Sequence, residues 1–514
     1  MRQHHHSLAS VHGAHNAKDR QFLAVTGFRC LRLPLGFLWY AERRLPEIHV
    51  YSDRRISPMD SLVSLSHQIQ TRRISAQELC EAYLHRIEQK NPECNAYITV
   101  TAERARLDAA IADKLMEAHR PLSALHGLPV SYKDLIATKG IRTTNGSAID
   151  RNMVPDTNAW IVDKLSTLGM VMLGKTNLHE YAFGITSNNP HFGPVRNPWN
   201  TAHVPGGSSG GSAAALAANL CPASIGTDTG GSIRIPSASC GVVGLKPTYS
   251  AWSLDGVTLI SWSLDHLGPM ANYVEDVALL FAEVQGWDWQ HTFTRISNSD
   301  IRGLKIGVPT TYFLDRIDPA VQKAYEQSLQ SFQDLGAIIK EIAIPEIHDA
   351  TPITLTIALA EAGYVHKDNI AKRLAEFGDD IRPMFSITGD LKALDYIDAL
   401  KAQHRIRLQF SQVFDTVDIL CVPTIPITPP LIGQEEITWT DGTETVFDTM
   451  IRFTGFFNLT GNPVLAVPSG TSGEGLPSGI QLVAPHGNEL LALKVGYAYQ
   501  RATLSEFFAK RDLL

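Results

Sequence analysis

Two serine- and glycine-rich runs, Pro205-Gly206-Gly207-Ser208-Ser209-Gly210-Gly211-Ser212 and Gly226-Thr227-Asp228-Thr229-Gly230-Gly231-Ser232-Ile233-Arg234, lie downstream of Lys133. Together they hold the residue types of a serine hydrolase that works without histidine. A serine that attacks a carbonyl needs backbone N–H donors aimed at the oxygen where negative charge develops. Gly230 and Gly231 have no Cβ, so the chain can take turns closed to other residues, and the amides of Thr229, Gly230, Gly231 and Ser232 can converge on one oxygen. Nucleophile and oxyanion hole then share one loop. An isolated Gly-Gly-Ser is most often an ordinary turn. Here apolar Ala218 to Ile225 precedes the run and Gly241-Val242-Val243-Gly244-Leu245 follows it, which predicts a loop held inside a packed domain rather than a linker.

The first run formally matches the G-x-S-x-G nucleophile elbow at Gly206-Gly207-Ser208-Ser209-Gly210. An elbow needs a strand running straight into the serine, whereas Val204-Pro205 precedes this one and proline cannot donate to a central strand. Ala- and Leu-rich Ser212 to Leu220 reads as a helix, so the plain alternative is that Ser208 or Ser209 only caps it. Lys133 ends Gly127-Leu128-Pro129-Val130-Ser131-Tyr132, which has the content of a short buried strand, and Asp134 follows. To act as a base this lysine must be neutral, which requires burial. Nineteen histidines are available, and His126, His179, His191 and His203 lie near these segments, but none has the spacing of a Ser-His-Asp triad.

The three segments resemble those of the amidase signature family, in the same order and at similar separations, 75 residues from Lys133 to Ser208 and 24 from Ser208 to Ser232. The similarity continues through Gly174-Lys175-Thr176-Asn177, Gly184-Ile185-Thr186-Ser187-Asn188-Asn189, Val195-Arg196-Asn197-Pro198-Trp199 and Cys240 to Thr248, over roughly residues 57 to 510. It implies an α/β fold: one large domain, residues 57–514, with a central mixed β-sheet covered by helices on both faces and a helical region, 350–415, over the active site. It also implies Ser232 as nucleophile, Ser208 as a bridging serine preceded by a cis peptide, and Lys133 as general base. Ser209, Thr229, Gly230 and Gly231 match supporting and oxyanion positions. Asp228 and Arg234 would pair to brace the loop, the alternative being two exposed charges. No metal or organic cofactor is required. Many relatives carry asparagine where this chain has Leu135, a departure expected to affect the chemistry little.

Within the family, Gly307-Val308-Pro309-Thr310-Thr311-Tyr312-Phe313 and Ile432-Gly433-Gln434 resemble the indoleacetamide and mandelamide hydrolase branch, which points to a small aryl- or alkyl-carboxamide cleaved to acid and ammonia. The competing expectation is the A-subunit of a glutamyl-tRNA amidotransferase, a glutaminase that passes ammonia to a partner. An ester or carbamate hydrolase of the same family is a further alternative, and a noncatalytic scaffold is disfavoured because all three catalytic residue types are present. A homodimer stays open.

The chain of 514 residues, 44% hydrophobic and 19% charged, can bury a large core. Its net charge of −7 argues against nucleic acid and anionic membrane as partners. Six cysteines without C-x-x-C spacing predict a reducing, cytoplasmic location and buried thiols. Residues 1–56 read as a disordered or mis-called extension, because the apolar stretch from Phe22 to Tyr40 is broken by Arg29 and Arg32 and is no convincing membrane span. Beyond it, residues 57–90 read as helices with a capping box at Ser75-Ala76-Gln77-Glu78, and 95–118 continue as helix. Val171-Met172-Leu173 and Gly303 to Pro309 read as strands, and Gly455 to Pro463 as a loop bordering the cleft. Phe377, Phe385 and Tyr396 are candidates for an aromatic pocket, with core packing the commoner role.

Overall fold

The computed structural model describes residues 60–514 apart from Ser299, so the expectation for residues 1–56 lies outside the described residues. Eleven strands form one sheet: β1 (Tyr97–Val100), β2 (Pro129–Lys133), β3 (Val171–Thr176), β4 (Ala223–Asp228), β5 (Val243–Lys246), β6 (His266–Ala271), β7 (Lys305–Pro309), β8 (Ile338–Ile342), β9 (Ile419–Pro423), β10 (Val464–Thr471) and β11 (Pro477–Val483). Their spatial order is β1-β3-β2-β4-β6-β5-β10-β11-β9-β7-β8. Two parallel blocks, β3-β2-β4 and β9-β7-β8, flank an antiparallel middle. The sheet is therefore mixed, as expected.

The strands β2, β3, β4 and β6 are buried along their whole length, the mark of a sheet covered on both faces. The edge strand β8 keeps residues in solvent. Helices Ala76–Cys94 and Ala102–Glu117 pack on each other and the second lies on β3, while Gly210–Ala217 packs on β4, Arg234–Cys240 on β10 and β11, and Pro319–Asp334 on β8 to β11. Nearly all buried apolar side chains join one core. A small second cluster of Ile185, Ile235, Ala238, Ile425, Ile427, Val446 and Met450 lies beside the helix that follows Ser232.

Local sequence explains where elements begin. Ser75 and Glu78 form the expected box: Ser75 Oγ accepts from the Glu78 amide at 3.0 Å and Glu78 Oε2 accepts from the Ser75 amide at 2.9 Å. Such a cap contributes about 1 kcal/mol. Residues 350–415 are largely helical, with Ala350–Val365 and Ala393–Ser411 as the long members.

Two expectations are corrected. Residues 95–118 are not one helix: Tyr-Ile-Thr-Val at 97–100, rich in β-branched side chains, pairs antiparallel with β3, and helix starts only at Ala102. Residues 455–463 are not simply a loop either, because Gly455–Thr460 is helical and stops at Gly461, whose φ of +79° serves as the C-terminal cap. No helix among the described residues is long and apolar enough to cross a membrane.

Candidate active site

Lys133 is the last residue of β2 and Asp228 the last of β4, and the two strands run parallel with Ser131 opposite Ser224 and Tyr132 opposite Ile225. Their carboxyl ends therefore open on the same edge of the sheet, where ligands bind in open α/β folds. The loop 229–233 leaves β4 at this edge, and the first serine run crosses it before entering the helix Gly210–Ala217.

The Lys133 side chain is fully buried, and its Nζ lies 2.7 Å from Ser208 Oγ and 2.8 Å from Thr227 Oγ1. Burial pulls this amine down to about 7, against the opposing charges of Asp228 and Asp265. A neutral amine can donate to Thr227 while its lone pair accepts the Ser208 proton. The peptide between Gly207 and Ser208 is cis. Ser208 O accepts from the His179 amide at 3.3 Å and from Ser187 Oγ at 3.2 Å.

Ser209 stands at the first position before the helix but does not cap it with its side chain. Its hydroxyl donates to Thr227 O at 3.1 Å and accepts from the Thr227 amide at 3.3 Å, which locks the first serine run onto β4. The Gly210 amide is satisfied instead by Ser187 Oγ at 3.1 Å, and the Gly211 amide by Asn177 O at 3.0 Å. Gly211 is required for that approach, because a Cβ there would meet Asn177 O at 2.3 Å and Ala96 O at 2.6 Å.

The Ser209 amide also donates to Ser232 O at 3.2 Å, which joins the two serine runs through their backbones. Ser232 is 4% exposed, and its Oγ makes no hydrogen bond to any described residue, Ser208 included. Gly231 adopts a φ of +136°, and a Cβ on it would meet Thr454 Oγ1 at 2.3 Å. Its amide, expected among the oxyanion donors, donates to Asp228 Oδ1 at 2.8 Å instead. The amides of Thr229, Gly230 and Ser232 donate to no described residue, so three of the four expected donors stay available.

Asp228 and Arg234 are paired and wholly buried, not two exposed charges. Arg234 Nε donates to Asp228 Oδ2 at 3.0 Å and Nη2 to Oδ1 at 2.9 Å, a fork-to-fork geometry. The other guanidinium hydrogens reach Thr454 O at 3.0 Å, Gln481 Oε1 at 2.7 Å and Asn458 Oδ1 at 2.6 Å. Burial alone would raise the Asp228 carboxyl. The charge and hydrogen bonds of Arg234, with Lys246 and Asn458, outweigh it and hold the carboxyl well below its ordinary range.

Several contributors escaped the sequence reading. Thr227 lies inside the second serine run, on a strand buried along its whole length, and no alternation in the sequence marks it out. Asp265, Thr454, Asn458 and Gln481 belong to no spacing pattern, and nothing in their local sequence marks them. Lys175, one strand over, is also buried and pulled down to about 8, burial being opposed by Asp134. It is pinned among Asp134, Ile136 O and Thr143 Oγ1.

Other candidates fall away. His126 contacts Ala112 O, His179 contacts Asp380, His191 contacts Glu180 and His203 contacts Pro429 O. None of the four reaches Ser232. Leu135 is buried in the core. Phe377 and Phe385 pack on each other at a tilt of 39° inside the core, and Tyr396 donates to Glu361 Oε1 at 2.8 Å, so these rings pack and brace.

A mixed sheet with helices on both faces, and a buried Lys–Ser contact beside a glycine-walled serine loop, are the features of an α/β enzyme of the amidase type. The family model for amidases matches residues 78–493, and the chain belongs to the amidase signature family, enzymes acting on amide C–N bonds and characterised by a Ser-Ser-Lys triad. Among curated proteins, the glutamyl-tRNA(Gln) amidotransferase A-subunit of Chromohalobacter salexigens is 37% identical over 476 residues, 86% of this chain and 96% of that protein. Among solved structures, a protein from a vestigial complex that reveals the evolutionary origins of an s-triazine catabolic enzyme is 34% identical, with a TM-score of 0.82 over 86% of this chain and 99% of that one. The glutamyl-tRNA(Gln) amidotransferase A-subunit of Thermotoga maritima is 29% identical, with a TM-score of 0.70 over 88% and 96%.

Proposed function

We propose that the chain hydrolyses a linear carboxamide through an acyl-enzyme on Ser232. The Ser232 hydroxyl attacks the carbonyl, and its proton passes by way of Ser208 to neutral Lys133. The amides of Thr229, Gly230 and Ser232 hold the oxyanion, the C–N bond breaks as the proton returns to the leaving nitrogen, and water releases the acid. The 2.7 Å contact between buried Lys133 and Ser208 carries this reading. Because the lysine acts as a base only when neutral, kcat/KM should fall about tenfold per pH unit below about 7, as Lys133 takes up a proton. A pH profile flat from 5.5 to 8 would remove Lys133 from the role.

The substrate divides two ways, and the curated relatives weigh for the amidotransferase reading, since the 37% identity spans 96% of a glutamyl-tRNA(Gln) amidotransferase A-subunit. In that case glutamine is the carboxamide, the chain works in the cytoplasm, and the ammonia passes to a partner protein. The other reading is a small uncharged aryl- or alkyl-carboxamide, with which it is consistent that Arg234, the cation bonded to the nucleophile loop, is fully spent on protein acceptors and holds no substrate carboxylate. Purified chain should be offered phenylacetamide, acetamide, an aryl ester, a carbamate and glutamine, with ammonia and product acids measured. Turnover of the simple amides by the chain alone supports the free amidase. Glutamine hydrolysis that appears only with a copurified partner supports the amidotransferase.

A further inference from the structure

We propose that Asp265 is a positioning residue of this active site, holding the nucleophile loop through Thr229 and setting the charge that Lys133 faces. The proposal rests on acyl transfer at Ser232. Asp265 is 5% exposed and directly precedes β6, whose His266 stands opposite Asp228 in the antiparallel register. That register brings it beside Thr229, the first residue of the loop. Its Oδ1 accepts from Thr229 Oγ1 at 2.6 Å, and its Oδ2 accepts from the amides of Ile260 and Ser261 at 2.9 and 3.2 Å.

The same segment continues outward. Ser261 Oγ and Ser263 Oγ donate to buried Glu361 at 2.6 and 2.5 Å, and Tyr396 reaches the same carboxylate from the helix Ala393–Ser411. An unbroken chain of hydrogen bonds thus runs from the nucleophile loop to the helical region of residues 350–411. With Thr229 fixed at one end and the Asp228 carboxylate holding Gly231 and Ile233 at the other, the amides between them keep one direction.

Asp265 also enters the electrostatics. The charged groups facing Lys133 are Asp228 and Asp265, and Asp228 is itself neutralised by Arg234 and Lys246. Burial pushes the Asp265 carboxyl up to about 7, opposed by Thr229, the Ser261 and Ile260 amides and Lys133. Its negative form raises Lys133, so removing that charge makes the lysine easier to deprotonate.

The test uses the full chain and a fluorophosphonate probe, following the rate of covalent labelling against pH and locating the label by peptide mass. Asp265→Asn should label about tenfold more slowly or worse, with the midpoint of its pH profile moved down by about half a unit or more. Thr229→Val should slow labelling to a similar degree, Thr229→Ser, which keeps the hydroxyl, should recover most of that loss, and the double variant of Thr229→Val with Asp265→Asn should be no slower than Asp265→Asn alone. A merely structural role would lower thermal stability without moving the pH midpoint. Labelling of Asp265→Asn within twofold of the parent, or an unmoved midpoint, overturns the proposal, and so does a Thr229→Val variant at the parent rate. Label found on a residue other than Ser232 in the parent overturns the acyl-transfer reading instead.

Discussion

Ser232→Ala should lower kcat for amide hydrolysis by about 10⁴-fold or more, and Lys133→Met by about 10³-fold, with neither change greatly altering thermal stability. Methionine fills the buried volume of the lysine side chain without an amine. On the proposed path, in which Ser232, Ser208 and Lys133 move one proton together, the double variant should be no worse than Ser232→Ala alone. Ammonia release from the best amide of the panel checks both losses. More than a tenth of parent activity in either variant would mean that another group supplies the nucleophile or the base.

The second large effect concerns stability. Arg234→Met leaves Asp228 as a buried, unpaired carboxylate, and removing one partner of such a pair costs about 3–5 kcal/mol. At about 2 cal/mol/K of unfolding entropy per residue, a domain of roughly 450 residues loses about 1 °C of Tm per kcal/mol, so Tm should fall by about 3–5 °C. Activity should be lost with it, because the carboxylate that orients the Gly231 and Ile233 amides is no longer held. Adding Asp228→Asn removes the stranded charge, so the double variant should recover part of the stability and none of the activity. Scanning calorimetry beside an ammonia assay separates the two. An Arg234→Met protein with parent Tm would show that the pair contributes nothing net.

The parts of the site legible in the sequence are those whose chemistry needs a local pattern. Glycines beside Ser232 mark a backbone that must turn sharply, the apolar run before Lys133 marks a buried strand, and Pro205 separates Ser208 from a hydrolase elbow. Contacts made across the sheet left no such trace. Asp265 lies one residue before a strand in an unremarkable context, and only the β4–β6 register brings it beside Thr229. Asn458 and Gln481 are neutral amides whose shared partner, Arg234, stands 224 and 247 residues away from them. The stretch 95–118 misled because its helical majority masked four β-branched and aromatic residues that the edge of β3 captures. The glycines at 455 and 461 suggested a loop, although one of them only ends a helix.

Arg234 draws three of its acceptors from Thr454, Asn458 and Gln481, 220 to 247 residues further on. The two serine motifs therefore do not by themselves complete the buried pair that braces their loop. Only when the segment carrying Gln481 is in place does the guanidinium have its full set of acceptors, so the brace of the serine loop is completed late in the chain.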